Sequence, residues 1–129
     1  MNFQLPFSMN TFLQIPKEGI LYMDSYFFIV KDKYPVSPGH CLIISNELKE
    51  EYFQLTSEAK IHLIKVIDIC KELIEREYSP DGYNIGINSG IAAGQTIMHF
   101  HCHIIPRYSG DMVDPTGGIR HCVAGKGYY

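Results

Sequence analysis

With 129 residues, 46% of them hydrophobic and 19% charged, the chain fits one compact domain (1–129) and excludes the disordered and fibrous classes. A net charge of −3, with lysines and arginines scattered, argues for no nucleic acid and no anionic membrane as partner, and leaves room for a small anionic ligand held locally. No apolar run reaches membrane-spanning length, and the opening "MNFQLPFSMNTF" lacks the basic and apolar regions of a secretion signal. A cytoplasmic location is therefore expected, with Cys41, Cys70, Cys102 and Cys122, which form no C-x-x-C pair, as buried reduced thiols.

Residues 1–11 show weak periodicity and read as a loose arm. "GILYMD" (19–24), "YFFIVKD" (26–32) and "HCLIISN" (40–46) are rich in strand formers, and the two prolines and glycine of "DKYPVSPGH" make the intervening segment a loop. From Thr56 to about Glu77 the period changes. Ala59, Leu63, Val66, Ile67, Cys70, Leu73 and Ile74 recur at helical spacing, with Thr56 or Ser57 as the cap, and "SPDG" ends the helix. "YNIGIN" (83–88) reads as a strand, "SGIAAGQ" (89–95) as a small-residue loop, and "IMHFHCHIIPR" (97–107) as a further strand stopped by Pro106. The tail, residues 108–129, is rich in turn residues and should wrap the body or reach a partner subunit. Short links between strands favour an antiparallel α+β fold with the helix lying across the sheet.

Half of the chain's six histidines lie in "HFHCH". On a strand, His99, His101 and His103 would form a row on one face, with Phe100, Cys102 and Ile104 packing beneath the helix on the other. Three readings compete. Half-exposed surface histidines are the plain one, but strict alternation beside a Gly-rich loop makes it the weakest. A metal site is the second. Side chains two apart on a strand stand about 6–7 Å apart at the Cα, so two converge on an ion more readily than three, and no local thiolate pair or H-x-x-x-H assists. The third is a nucleophilic imidazole attacking phosphorus, with its neighbours holding phosphoryl oxygens or protonating the leaving group. The preceding "GINSGIAAGQT" suits this one. It supplies Asn88, Gln95 and Thr96 as side-chain donors, and Gly94 lets backbone N–H groups approach an oxyanion.

"HFHCHII", together with "DKYPVSPGHCLII" (32–44), "DGYNIGINSGIAAGQT" (81–96) and "HIIPRYSGD", resembles the histidine triad (HIT) family from about residue 20 to 111. The resemblance implies an α+β half-barrel with a five-stranded antiparallel sheet and one long helix, paired into a homodimer with one continuous sheet. It implies that His101 attacks the α-phosphate of a nucleotide, an AMP or GMP derivative, and that water then hydrolyses the nucleotidyl-histidine. By the same match Asp32 would bond the ribose hydroxyls and Leu42 would help cover the base. Asn88, Gln95, Thr96 and His103 would surround the phosphate. His99 and His40 would form a supporting hydrogen-bond chain. Asp32 also has a plainer role, initiating the turn before Pro35. No metal is needed to form the nucleophile, and Mg2+ enters only as companion to a polyphosphate substrate. The N-terminal C-x-x-C of many bacterial members is missing, so their zinc site is not implied. Asn88 matches the Hint-like phosphoramidases where the Fhit-type hydrolases carry glutamine, while "GQT" and "IIPR" lean toward the latter. Diadenosine polyphosphates are the favoured substrates and nucleoside phosphoramidates the alternative. The rival from another class is a nucleotide-binding regulatory protein whose catalysis is incidental.

Overall fold

The computed structural model describes Phe12 and residues 14–129, so the expected loose arm, 1–11, lies outside the described residues. Five strands form one antiparallel sheet: β1 (Ile20–Met23), β2 (Phe27–Lys31), β3 (Cys41–Ser45), β4 (Gly82–Ile87) and β5 (His101–Arg107), in the order β1-β2-β3-β5-β4. The last strand in sequence thus inserts between β3 and β4 and is paired on both edges. Among the described residues one long helix, α1 (Ser57–Glu75), spans the expected segment, and Thr56 caps it by accepting the Ala59 N–H at 3.1 Å.

β2 and β3 are buried almost throughout because both faces of the sheet are covered. On one face Ala59, Leu63, Val66, Cys70 and Ile74 of α1 pack onto Phe27, Ile29, Cys41, Ile43, Cys102 and Ile104, with Phe100 in the same core. On the other, Phe28, Val30, Leu42 and Ile44 gather under Phe12, with Ile15, Ile20 and Ile97 at the margin. Fully burying one such aliphatic or aromatic side chain stabilises the fold by about 1.5–3 kcal/mol. The helix-side layer locks Cys102 and Ile104 of β5 and so fixes where the alternate side chains of that strand point.

Three expectations change. First, the histidine strand starts at His101 and not at residue 97. β3 ends at Ser45, and the Phe100 N–H is taken by Lys49 O at 2.6 Å, so the chain before His101 leaves the ladder. Second, Pro106 does not stop the strand, which runs on through Arg107. Ile104 faces Cys41, the first residue of β3, so the edge toward which a residue-106 N–H would point has no strand left beside it. Third, Cys122 is exposed while Cys41, Cys70 and Cys102 are buried, because Cys122 lies in a 3-10 turn of the tail, outside both cores. Among the described residues no helix is long and apolar enough to cross a membrane.

A clamp at the β1–β2 turn ties this edge of the sheet to α1. The Asp24 carboxylate accepts the N–H groups of Tyr26 (2.7 Å) and Phe27 (2.9 Å) and the Tyr22 hydroxyl (2.8 Å), and pairs with His62 of α1 at 2.6 Å. Burial alone would raise its pKa. The donors, Phe27 N–H and His62 foremost, outweigh burial and bring it down to about 2. A depressed carboxylate pKa contributes stability that is complete above the ordinary value of 3.8 and lost as the pH falls toward about 2. Asp24→Asn should cost about 2 kcal/mol, the scale of hydrogen bonds to a charged group. Urea unfolding at pH 7 checks this, and a change below about 0.5 kcal/mol, the size of an ordinary surface substitution, would refute the clamp.

Candidate active site

On β5 the odd positions lie half-buried on the face opposite α1, and the even ones are buried beneath it. His101 faces Ile44, and His103 lies between Leu42 of β3 and Gly86 of β4. The two imidazole centroids are 5.2 Å apart. His99 does not continue the row. Its ring is fully buried, with Nε2 donating to Ser45 O at 2.7 Å and Nδ1 left without a partner among the described residues. What reaches His101 is the His99 backbone. The His99 carbonyl lies 2.8 Å from His101 Nδ1. A carbonyl only accepts, so Nδ1 carries the proton and the Nε2 lone pair is the free one.

His40 lies at the end of the β2–β3 loop. Gly39 before it has φ +91°, and a Cβ there would stand 2.9 Å from Tyr78 Cδ2 and 3.3 Å from Pro106 Cγ, which explains a glycine at this turn. The Val36 N–H donates to His40 Nδ1 at 3.1 Å, which places the His40 proton on Nε2. That N–H points at His103 Nδ1, 3.0 Å away. His103 accepts at Nδ1 and therefore holds its own proton on Nε2. His40 thus orients His103 and makes no hydrogen bond to His101, so the expected chain runs to the neighbour of the nucleophile candidate.

Burial is the first cause acting on all four rings, and it pushes His40, His99, His101 and His103 below the ordinary imidazole value. Asp32 opposes it at His40, His101 and His103 without winning. Phe12, which carried no signal in the sequence, adds to the cover on His101, with ring centroids 5.1 Å apart. The result is a neutral imidazole with an open lone pair beside a second imidazole offering an N–H. This can attack an electrophile and hydrogen-bond what leaves.

Asp32 takes the turn role and also reaches His40. Oδ1 accepts the Tyr34 N–H at 2.8 Å, the turn role, while Oδ2 lies 3.3 Å from His40 Nε2. Leu42 is buried directly opposite His103. Asn88 and Thr96 are exposed at the two ends of the Gly-rich segment, and Gly94 (φ +95°) closes its 3-10 turn. Gln95 is placed differently from a phosphate donor. It is buried, its Nε2 donates to Glu50 O (2.5 Å) and Ile97 O (3.0 Å), and its Oε1 accepts the Gly90 N–H (2.8 Å). Its amide shapes the loop from behind.

Asp32, His40 and His103 each offer a ligand atom, all within 4.8 Å of one another. The Val36 N–H argues against a cation there. It fixes the His40 proton on Nε2, the very atom turned toward the other two. A metal would require that proton to move to the nitrogen already accepting from Val36. The tautomers are measurable. Nitrogen-15 NMR at pH 7.5 should show His101 neutral and protonated on Nδ1, and His40 neutral and protonated on Nε2. The same tautomer on both rings would contradict this network.

The HIT domain family matches residues 14–110. An uncharacterised HIT-like protein of Methanocaldococcus jannaschii is 34% identical over 98 residues, covering 76% of this chain and 74% of the relative. The asymmetrical bis(5'-nucleosyl)-tetraphosphatase of Schizosaccharomyces pombe is 38% identical over 77 residues, 60% of this chain and 42% of that longer protein. A crystal structure of a HIT family protein from Bacillus anthracis superposes with a TM-score of 0.71 at 34% identity, covering 84% of this chain and 76% of that one. Site geometry, sheet order and relatives agree, and the chain belongs to the HIT family.

Proposed function

We propose that the protein is a nucleotide hydrolase that cleaves at the α-phosphate of nucleoside 5'-phosphate derivatives, with dinucleoside polyphosphates as the favoured substrates. The observation that carries this is the 2.8 Å contact between His101 Nδ1 and the His99 carbonyl, which leaves Nε2 as an unprotonated nucleophile. In the first step Nε2 forms a bond to the α-phosphorus while the bond to the leaving oxygen or nitrogen breaks. The electron pair departs with the leaving group: a polyphosphate leaves as its anion, hydrogen-bonded by the His103 Nε2–H, and an amine takes a proton from solvent. The His99 carbonyl supports the charge that His101 acquires. In the second step water attacks phosphorus and loses a proton to solvent, the P–N bond breaks with its electron pair returning to His101 Nε2, and a nucleoside monophosphate is released. Asp32 would hold the ribose, Leu42 the base, and Asn88, Thr96 and the Gly94 turn the phosphate, with Gln95 bracing that loop. The tetraphosphatase among the relatives supports the polyphosphate class. Asn88, standing where Fhit-type hydrolases carry glutamine, keeps nucleoside phosphoramidates as the second class.

His101→Asn should lower kcat on diadenosine tetraphosphate by at least about 1000-fold, the scale of losing a nucleophile, while AMP still binds. Turnover within tenfold of the unaltered protein would sink the mechanism. In the unaltered protein attack requires neutral His101, so kcat/KM should fall toward acid pH. Because burial lowers the His101 pKa, the inflection should lie below the ordinary 6.5. An inflection above 6.5 would contradict the buried site.

We also propose a homodimer through β4. Its outer edge is unpaired among the described residues, and Ile85 and Ile87 on it are 47% and 36% exposed. A second copy of the same strand, antiparallel to it, would continue the sheet. Light scattering at micromolar concentration should give twice the mass of the chain, and Ile85→Lys should reduce it to one. A monomeric unaltered protein would refute the pairing.

A further inference from the structure

The tail after β5 is built more tightly than a surface tail needs to be. A Cβ on Gly127 would overlap the His121 ring, and one on Gly117 (φ +95°) would overlap Gly127 O. His121 Nε2 donates to Thr116 O at 2.8 Å, the Tyr128 hydroxyl donates to Asp114 O at 2.9 Å, and the two rings meet edge to face at 4.5 Å. These contacts knot the tail and hold a 3-10 turn, Gly118–Cys122, against β4.

Where the turn lands is informative. A Cβ on Gly118 would lie 3.3 Å from Asn84 Nδ2, and Ile119 Cδ1 is 3.8 Å from where a Cβ on Gly86 would point. Gly86 is the cross-strand partner of His103, and Asn84 of Ile105. Partners in register share a face of the sheet. The turn therefore stands on the histidine face, one strand beyond His103, on the side away from Leu42.

The chain's three arginines are Arg76, Arg107 and Arg120; Arg107 is on β5, and Arg120 belongs to the turn that stands on this face. Arg107, on β5, is already neutralised. Its Nε and Nη2 donate to both oxygens of Asp111 (2.8 and 2.6 Å), and its Nη1 to Asn84 Oδ1 (2.8 Å). Arg120, next to Ile119, donates Nη2 to a carbonyl, Lys126 O, at 3.0 Å, and its guanidinium carbon lies 4.7 Å from the Tyr129 ring centroid. Among the described residues it has no carboxylate partner. Its exposed guanidinium is braced yet uncompensated, in a chain whose net charge is −3.

We propose that Arg120, presented by the tail knot, is a specificity-determining residue that receives a negatively charged leaving group, the polyphosphate end of the substrate. This rests on the function proposed above. With the nucleoside on the Leu42 side and the α-phosphate at His101, the leaving group extends over β4 toward the tail. A guanidinium fork matches phosphate oxygens, whereas a neutral amine leaving group gains nothing from it. The tail thereby tilts the site toward polyphosphate substrates.

Arg120→Gln removes the charge, and Gly127→Ala dislodges the turn while retaining Arg120. Each is compared with the unaltered protein for the ratio of kcat/KM on diadenosine tetraphosphate to that on adenosine 5'-phosphoramidate, with Tm and light scattering as controls. The ratio should fall about tenfold in Arg120→Gln, and in the same direction in Gly127→Ala. An unchanged ratio overturns the proposal. So does an unchanged ratio in a Gly127→Ala protein that has become monomeric, which would assign the tail to subunit pairing. On a His101→Asn background, Arg120→Gln should also lower the preference for ATP over AMP in binding by about tenfold. That measurement needs no turnover. If the unaltered protein hydrolyses neither substrate, a lost preference in binding supports the role of Arg120 and refutes the hydrolase reading alone, while a retained preference refutes the role of Arg120.

Discussion

The site depends on one departure from regular structure, the exit of Phe100 and His99 from the sheet. Phe100 still offers its carbonyl to the Ser45 N–H at 3.3 Å, but its own N–H turns to Lys49 O, and the strand proper begins one residue later. This bend drops the His99 ring into the interior and turns its carbonyl onto His101 Nδ1. Had the strand continued regularly, a third imidazole would stand in the row and the His99 carbonyl would face a neighbouring strand. The tautomer of His101 would then be set by nothing local.

The rest of the molecule stabilises that geometry. Phe100, Cys102 and Ile104 are locked under α1, so the backbone that carries His101 and His103 has little freedom to shift. Leu42 and Gly86 flank His103, one filling space and the other leaving it open. Burial then supplies the electrostatics. It lowers the pKa of every imidazole in the group, and the Asp32 carboxylate opposes this without reversing it. A neutral imidazole with a free Nε2 at neutral pH follows from packing and not from a neighbouring base.

The Gly-rich loop follows the same logic in backbone form. Gly90 and Gly94 take positive φ, and the Gln95 amide fastens the loop to Glu50 and Ile97. A side chain that looks like a ligand donor in sequence is here the internal strut that gives the loop its shape. His40 is similar, since its task is to hold the proton of another imidazole in place.

The sequence by itself determined the alternation of strands and helix, the helix from Thr56, the two-faced character of residues 101–107, and the residues that gather near His101 and His103. These are carried by local periodicity and by turn chemistry that any fold must respect. Only the tertiary structure decided that His99 contributes a carbonyl and not a ring, that Pro106 is tolerated inside a strand because β3 has already ended, that Gln95 faces inward, and that the tail returns over Gly86. Each of these depends on which backbone N–H or carbonyl is left unpaired once distant segments meet. The partners, Ser45 and Lys49 for the bend and Asn84 and Gly86 for the tail, are separated from them by tens of residues and leave no periodic trace along the chain.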